Sequence, residues 1–184
     1  MTYKLIKSLL IVSVALAQAG GAAAQGPKPS PAHMEAMKRL DFLVGEWQGE
    51  GWNEMVPGQR RTSPINEMVQ SKLGGSVLLV EGLGKVKVPG KDEEVVVHNA
   101  LGVLSYDENA KLYRMRSYLA GGRFVDAEAM FTDGGFQWAF KTPSVGIRYT
   151  VRLTEKGEWF EIGEMSQDGR SWRKFHEMTL QRVK

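Results

Sequence analysis

Leu40-Asp41-Phe42-Leu43-Val44-Gly45-Glu46-Trp47-Gln48-Gly49-Glu50-Gly51-Trp52 reads as an amphipathic lead-in, a glycine break and a strand. The lead-in extends back to Ala32, with Met34, Met37, Leu40 and Leu43 at three-residue steps. That spacing predicts a short amphipathic helix over 32–44, ended by Gly45. After Gly45 the periodicity changes to two. Gly49 and Gly51 alternate with charged and polar residues, and small residues there suit strand curvature or close packing better than chemistry.

Beyond this point no further helix is expected. Ten alternating segments follow, at about 46–54, 65–73, 76–86, 94–106, 111–119, 123–131, 136–141, 146–153, 158–166 and 171–183. Turn residues separate them: Gly74-Gly75, Pro89-Gly90-Lys91-Asp92, Asp107-Glu108-Asn109, Gly121-Gly122, Asp133-Gly134-Gly135, Thr142-Pro143-Ser144, Glu155-Lys156-Gly157 and Asp168-Gly169. Connections this short make an up-and-down meander. Closure removes the two edges that an open sheet would expose. The expected fold is all-β: a ten-stranded antiparallel up-and-down barrel behind a short N-terminal helix. A two-sheet sandwich is the alternative, but it needs longer crossovers than these turns allow.

Upstream, Lys4 and Lys7 precede the apolar run Ser8–Ala17, and Ala22-Ala23-Ala24 offers small residues for cleavage. Residues 1–24 are read as a signal peptide, 25–31 as a Pro-rich linker and 32–184 as one barrel domain. The run is short for a membrane span, and none is expected once the signal is removed. The expected location is periplasmic or secreted. Removing 1–24 takes away two lysines and leaves 22 Lys+Arg against 21 Asp+Glu, which gives no concentrated basic face for nucleic acid. The chain has no cysteine, which excludes thiol catalysis, disulfides and thiolate metal sites.

Alternation assigns the interior. Phe136, Trp138 and Phe140 share a face, as do Ile147, Tyr149, Val151 and Leu153, and Tyr113, Met115, Ser117 and Leu119. In the last strand Trp172, Lys174, His176, Met178, Leu180 and Arg182 are placed inward, with Phe175 outward. The segments 94–106 and 158–166 read either way. The expected ligand-binding lining is His176, Tyr149, Trp138, Phe136, Met178 and Met115: apolar and aromatic, with few polar handles. His33 is expected in solvent. Glu161 and Glu164, like Glu46 and Glu50 or Glu93 and Glu94, read as solvated surface acids rather than a catalytic pair. No catalytic residue and no metal site emerges, and no cofactor is assigned.

The block Leu40–Trp52, the segment His98–Tyr113 with Gly102, Tyr106-Asp107 and Lys111-Leu112-Tyr113, and the ending Phe175–Val183 resemble the bacterial family called domain of unknown function 1579. The resemblance implies a lipocalin-like, calycin barrel. Gly45-Glu46-Trp47 is the Gly-x-Trp opening of calycins, whose tryptophan packs on an arginine of the last strand, here Arg182. The same opening is similar to that of nitrobindins, which implies heme held by a histidine near the C-terminus. His176 is the residue nearest that place, one position away in register. Four functions stay open: a carrier or sensor of a small apolar ligand, a heme-binding barrel, an enzyme using the same lumen, and a structural or partner-binding barrel with a filled interior.

Overall fold

The structure of the protein, a computed structural model, describes residues 28–184. The expected signal peptide and the start of the linker lie outside the described residues. Ten strands form one closed antiparallel barrel in meander order. They are β1 (Gly45–Asn53), β2 (Arg61–Lys72), β3 (Val77–Lys87), β4 (Glu94–Asp107), β5 (Leu112–Leu119), β6 (Phe124–Thr132), β7 (Gly135–Lys141), β8 (Gly146–Leu153), β9 (Trp159–Ser166) and β10 (Arg173–Arg182). Each strand pairs with its sequence neighbours. β1 closes the ring on β10, with Trp47 opposite Arg182 and Asn53 opposite His176.

The expected single helix is two pieces: α1 (Pro31–Lys38) and a 3-10 turn at Asp41–Leu43. Ser30 caps α1, its Oγ accepting from the His33 amide at 3.0 Å, and Pro31 starts the first turn. The three-residue apolar spacing explains the change, since side chains three apart eclipse in a 3-10 turn. Met37, Leu40 and Leu43 therefore stay buried together. A second 3-10 turn, Leu73–Gly75, joins β2 to β3 where no helix was expected.

These pieces plug one end of the barrel. Met37, Leu40, Leu43, Trp47, Trp159 and Leu180 pack there into one buried cluster. Tyr113 donates its hydroxyl to the Ala36 carbonyl at 2.8 Å and tethers α1 to β5. His33, expected in solvent, is instead half-buried, with Nε2 2.9 Å from the Ser76 carbonyl. The first turn of α1 leans on the β2–β3 connection and carries the ring with it.

The Gly-x-Trp opening is the latch of this end. Trp47 is fully buried, lies edge-on to Trp159 at 5.7 Å, and donates its indole N–H to Leu43 O at 2.8 Å. The Arg182 guanidinium sits 4.1 Å above the indole centroid and donates to Phe42 O at 2.7 Å and to Val44 O. Gly45 has φ +141°, and a Cβ there would lie 2.7 Å from Arg182 Nη1 and 2.6 Å from Lys184 O. Only glycine fits.

The inward sets of β5 and β7 are as expected, and so are Ile147, Tyr149 and Val151 of β8. Leu153, expected inward, lies exposed at the strand end. β10 differs. Lys174 pairs with Glu164 and His176 with Gly163, so Phe175 is an extra residue in a β-bulge. The bulge reverses the alternation ahead of it. Phe175 turns in and is buried, Lys174 is exposed, and Trp172 sits outside under the Arg148 guanidinium at 4.0 Å. Both Phe175 and His176 thus face the interior.

Replacing Trp47 with Ala should cost about 3–5 kcal/mol, read as a fall in the urea midpoint, because a fully buried indole leaves a cavity the plug cannot refill. Arg182→Lys should cost about 1–2 kcal/mol, since one ammonium cannot bond both carbonyls and cover the ring. An unchanged midpoint in both variants would show that the latch does not hold the end closed.

Candidate functional site

Above the plug the barrel is hollow, with a cavity of about 360 Å³. It runs between the plug residues Leu43 and Trp159 and the far mouth, where exposed Met55 and His98 stand. The six residues read as a ligand lining, Phe136, Trp138, Tyr149, Met115, Met178 and His176, all face this cavity. Trp138 and Tyr149 are cross-strand partners, stacked nearly parallel at 4.2 Å, and Phe140 continues the stack at 6.0 Å from Trp138. Phe175 meets Tyr149 edge-on at 5.6 Å. The lining from β7 and β8 is therefore an aromatic stack, braced edge-on by Phe175 of β10.

The lining is not wholly apolar, and here the sequence expectation fails. Glu161 is no surface acid. It is on the inward face of β9 with Trp159, retains 8 % of its surface, and accepts from the Trp159 indole N–H at 3.3 Å. Glu67 of β2 also lines the cavity, with no hydrogen-bond or ion-pair partner among the described residues. Its phase was legible: Ile65, Glu67 and Val69 share one strand face, and both apolar neighbours are buried. A lone charge on an apolar face is the signal that was missed. Across from it, Gly82 of β3 leaves the room. A Cβ there would lie 2.6 Å from Glu67 Oε1 and 3.0 Å from His98 Nε2.

His176 is held rather than free. Its Nδ1 is 3.0 Å from Asn53 Oδ1. Since an amide oxygen only accepts, Nδ1 carries the proton and Nε2 the lone pair. Nε2 lies 4.0 Å from Glu161 Oε1. Burial, helped by nearby His98, pushes His176 down to about 4. Burial pushes Glu67 up to about 8, with the charge of Glu161 adding to it. Burial likewise raises Glu161 to about 7, partly offset by the Trp159 hydrogen bond. Near neutral pH the imidazole is thus uncharged, Glu67 keeps most of its proton, and Glu161 keeps a share that surface acids have lost. With a neutral imidazole, the His176–Glu161 contact is not a salt bridge.

The two inward acids meet no permanent cation: no Lys or Arg is among the described residues lining the cavity. The same residues contain no group of three or more side chains that could hold a metal ion. No helix among them is long and apolar enough to cross a membrane.

No protein-family model matches this chain, and no curated protein matches it. Among solved structures it is similar to the crystal structure of Rv2717c from M. tuberculosis, with a TM-score of 0.58. The match spans 85 % of this chain and 100 % of that one at 14 % identity, a likeness of fold alone.

The buried carboxyls set an unusual pH dependence. A glutamate whose folded value lies above its ordinary 4.5 holds its proton more tightly in the folded state. Ionising it destabilises the fold, and that loss accumulates as pH rises from about 4.5 through about 8. His176 acts oppositely: its stability contribution is lost as pH falls from 6.5 toward about 4. Two carboxyls outweigh one imidazole, so the melting temperature should rise as pH is lowered from about 8 to about 6. Glu67→Gln should stabilise by on the order of 1–3 kcal/mol at the alkaline end, roughly 2–4 °C for each kcal/mol, and by less at about pH 5. Equal shifts at both pH values would mean that the Glu67 charge is not enclosed.

Proposed function

We propose that this protein is an exported lipocalin-like binding protein that carries or senses a small, largely apolar ligand in its lumen. The observation that supports it most is the cavity of about 360 Å³, flanked by the Trp138–Tyr149 stack inside a closed, plugged barrel. That volume falls within the range of small-molecule sites, and a wall mostly of aromatic and aliphatic side chains with a few placed polar groups is the usual composition of one. A barrel with a filled interior would leave no such space. On this reading the protein also belongs with the domain-of-unknown-function 1579 barrels that its opening and ending resemble.

Heme is the second occupant that the resemblance implies. The lone-pair nitrogen of His176 faces the lumen, but a carboxyl oxygen of Glu161 stands 4.0 Å from it. A porphyrin coordinated there would have to displace that carboxyl. The arrangement favours a hydrogen bond from a ligand hydroxyl or amide over ligation of iron.

The neutral apolar dye N-phenyl-1-naphthylamine should bind with micromolar affinity and a blue-shifted emission. Ser117→Phe, which fills the lumen away from the plug, should weaken it by about tenfold or more. Ferric heme should give no Soret shift dependent on His176. A shift abolished by His176→Ala would replace the carrier reading with a heme barrel, and failure of every apolar probe to bind would remove it.

A further inference from the structure

The interior carries a charge pattern that an apolar ligand does not explain. On the exterior of the barrel, acids are paired across neighbouring strands at several places. Arg148 bonds Glu164 at 2.8 Å, Arg114 bonds Glu128 at 3.3 Å and Arg116 bonds Asp126 at 3.2 Å, each across adjacent strands. Inside, Glu67 and Glu161 reach the lumen from β2 and β9 with no cation beside them among the described residues. Glu67 has not even a neutral hydrogen-bond partner. Enclosed acids without partners are costly, and the cost is relieved only when something positive enters or a proton is kept.

We propose that the lumen takes a hydrophobic amine, its apolar or aromatic body against the Trp138–Tyr149 stack and its ammonium group seated between Glu67 and Glu161. The proposal rests on the reading of the lumen as a binding site and names the class of its ligand. Two features select an ammonium. The two carboxyls supply the acceptors that its three N–H donors need. The remaining polar lining adds no positive charge at neutral pH, because His176 and His98 are both held below the ordinary histidine value and Asn53, Ser63 and Ser117 are uncharged. An anionic ligand would meet two acids, and a metal ion would lack a ligand set. An amine also explains Gly82: the absent side chain leaves the space that the Glu67 carboxyl occupies.

Proton linkage gives the proposal a signature. Without ligand the carboxyls retain protons, Glu67 up to about 8 and Glu161 up to about 7. Seating an ammonium ionises them, so its affinity rises with pH over that range. The groups facing them are Tyr149 from β8, which burial keeps a phenol, His176 from β10 and His98 from β4 at the rim. Both histidines are held below their ordinary value, so they have already lost their charge where the carboxyls titrate and do not produce the increase.

The test compares three probes on one body: 2-naphthylmethylamine, 2-naphthylmethanol and 2-naphthoate, titrated calorimetrically into the full mature chain at about pH 8 and about pH 6. The amine should bind about tenfold or more tighter than the alcohol at the higher pH, and the naphthoate weakest. The preference should shrink at the lower pH. In the Glu67→Gln, Glu161→Gln double variant it should vanish, with the alcohol's affinity held within about threefold. Glu67→Gln alone removes one charge at constant shape. It should reduce the preference by about threefold or more, and it keeps the test available if the double variant does not fold. Glu164→Gln, on the outer face, should change nothing. An alcohol that binds as well as the amine, or a preference that survives in the glutamine variants, overturns the amine while leaving lumen binding intact. Failure of all three probes, together with the neutral dye, overturns both.

Discussion

The contact between Trp47 and Arg182 makes this molecule a vessel. It joins the first strand to the last, the one pairing in the meander that no short turn enforces. A hairpin positions its two strands through a loop of a few residues. β1 and β10 are separated by almost the whole domain, and their register must come from side chains. The guanidinium supplies it by covering the indole and bonding the two carbonyls, of Phe42 and Val44, that lead into β1. The same contact fixes where the 3-10 turn ends, and so where Leu40 and Leu43 enter the barrel. Loss of the latch would free the plug and open an edge on each terminal strand.

A plugged end has a consequence for what the other end can be. Apolar volume is concentrated where α1, Trp47, Trp159 and Leu180 meet, and the lumen above is relieved of the need to fill itself. Small residues at Gly82, Ala100 and Gly102 on β3 and β4 keep one wall thin, while Trp138, Tyr149 and Phe175 thicken the other. The result is an asymmetric cavity, aromatic along β7 and β8, with one carboxyl on β9 beside that wall and the other on β2. The surface ion pairs are worth little in stability, because exposed pairs are screened. The enclosed acids weaken the fold in the ionised form. Such groups stand where an apolar residue would stabilise the fold more, and local rules of this kind are broken most often at functional sites.

The β-bulge at Phe175 couples these two halves. An extra residue in β10 lets two consecutive side chains, Phe175 and His176, face the same interior. Without it one of them would point to solvent. Phe175 then braces Tyr149, and His176 meets both Asn53 and Glu161. A single irregularity therefore brings the aromatic wall and the polar groups within reach of one ligand.

The sequence by itself determined the barrel. Alternation with period two, turn residues at short intervals, and the Gly45-Glu46-Trp47 opening with Arg182 near the end are local or nearly local signals, and each is set by backbone geometry. It also placed Phe136, Trp138, Tyr149, Met115, Met178 and His176 on the lumen, because alternation holds within an unbroken strand. Three things were decided only by tertiary structure. The phase of β10 before His176 depended on a bulge, which depends on the partner strand and reverses every side chain ahead of it. The role of Glu161 depended on which face of β9 the closed ring turned inward, since Trp159 and Phe160 give the two faces equal apolar claims. The convergence of Glu67 and Glu161 on one cavity required closure itself. Residues on β2 and β9, nearly a hundred positions apart, share a lumen only when the last strand returns to the first, and no pattern in a linear chain records a distance across a cavity.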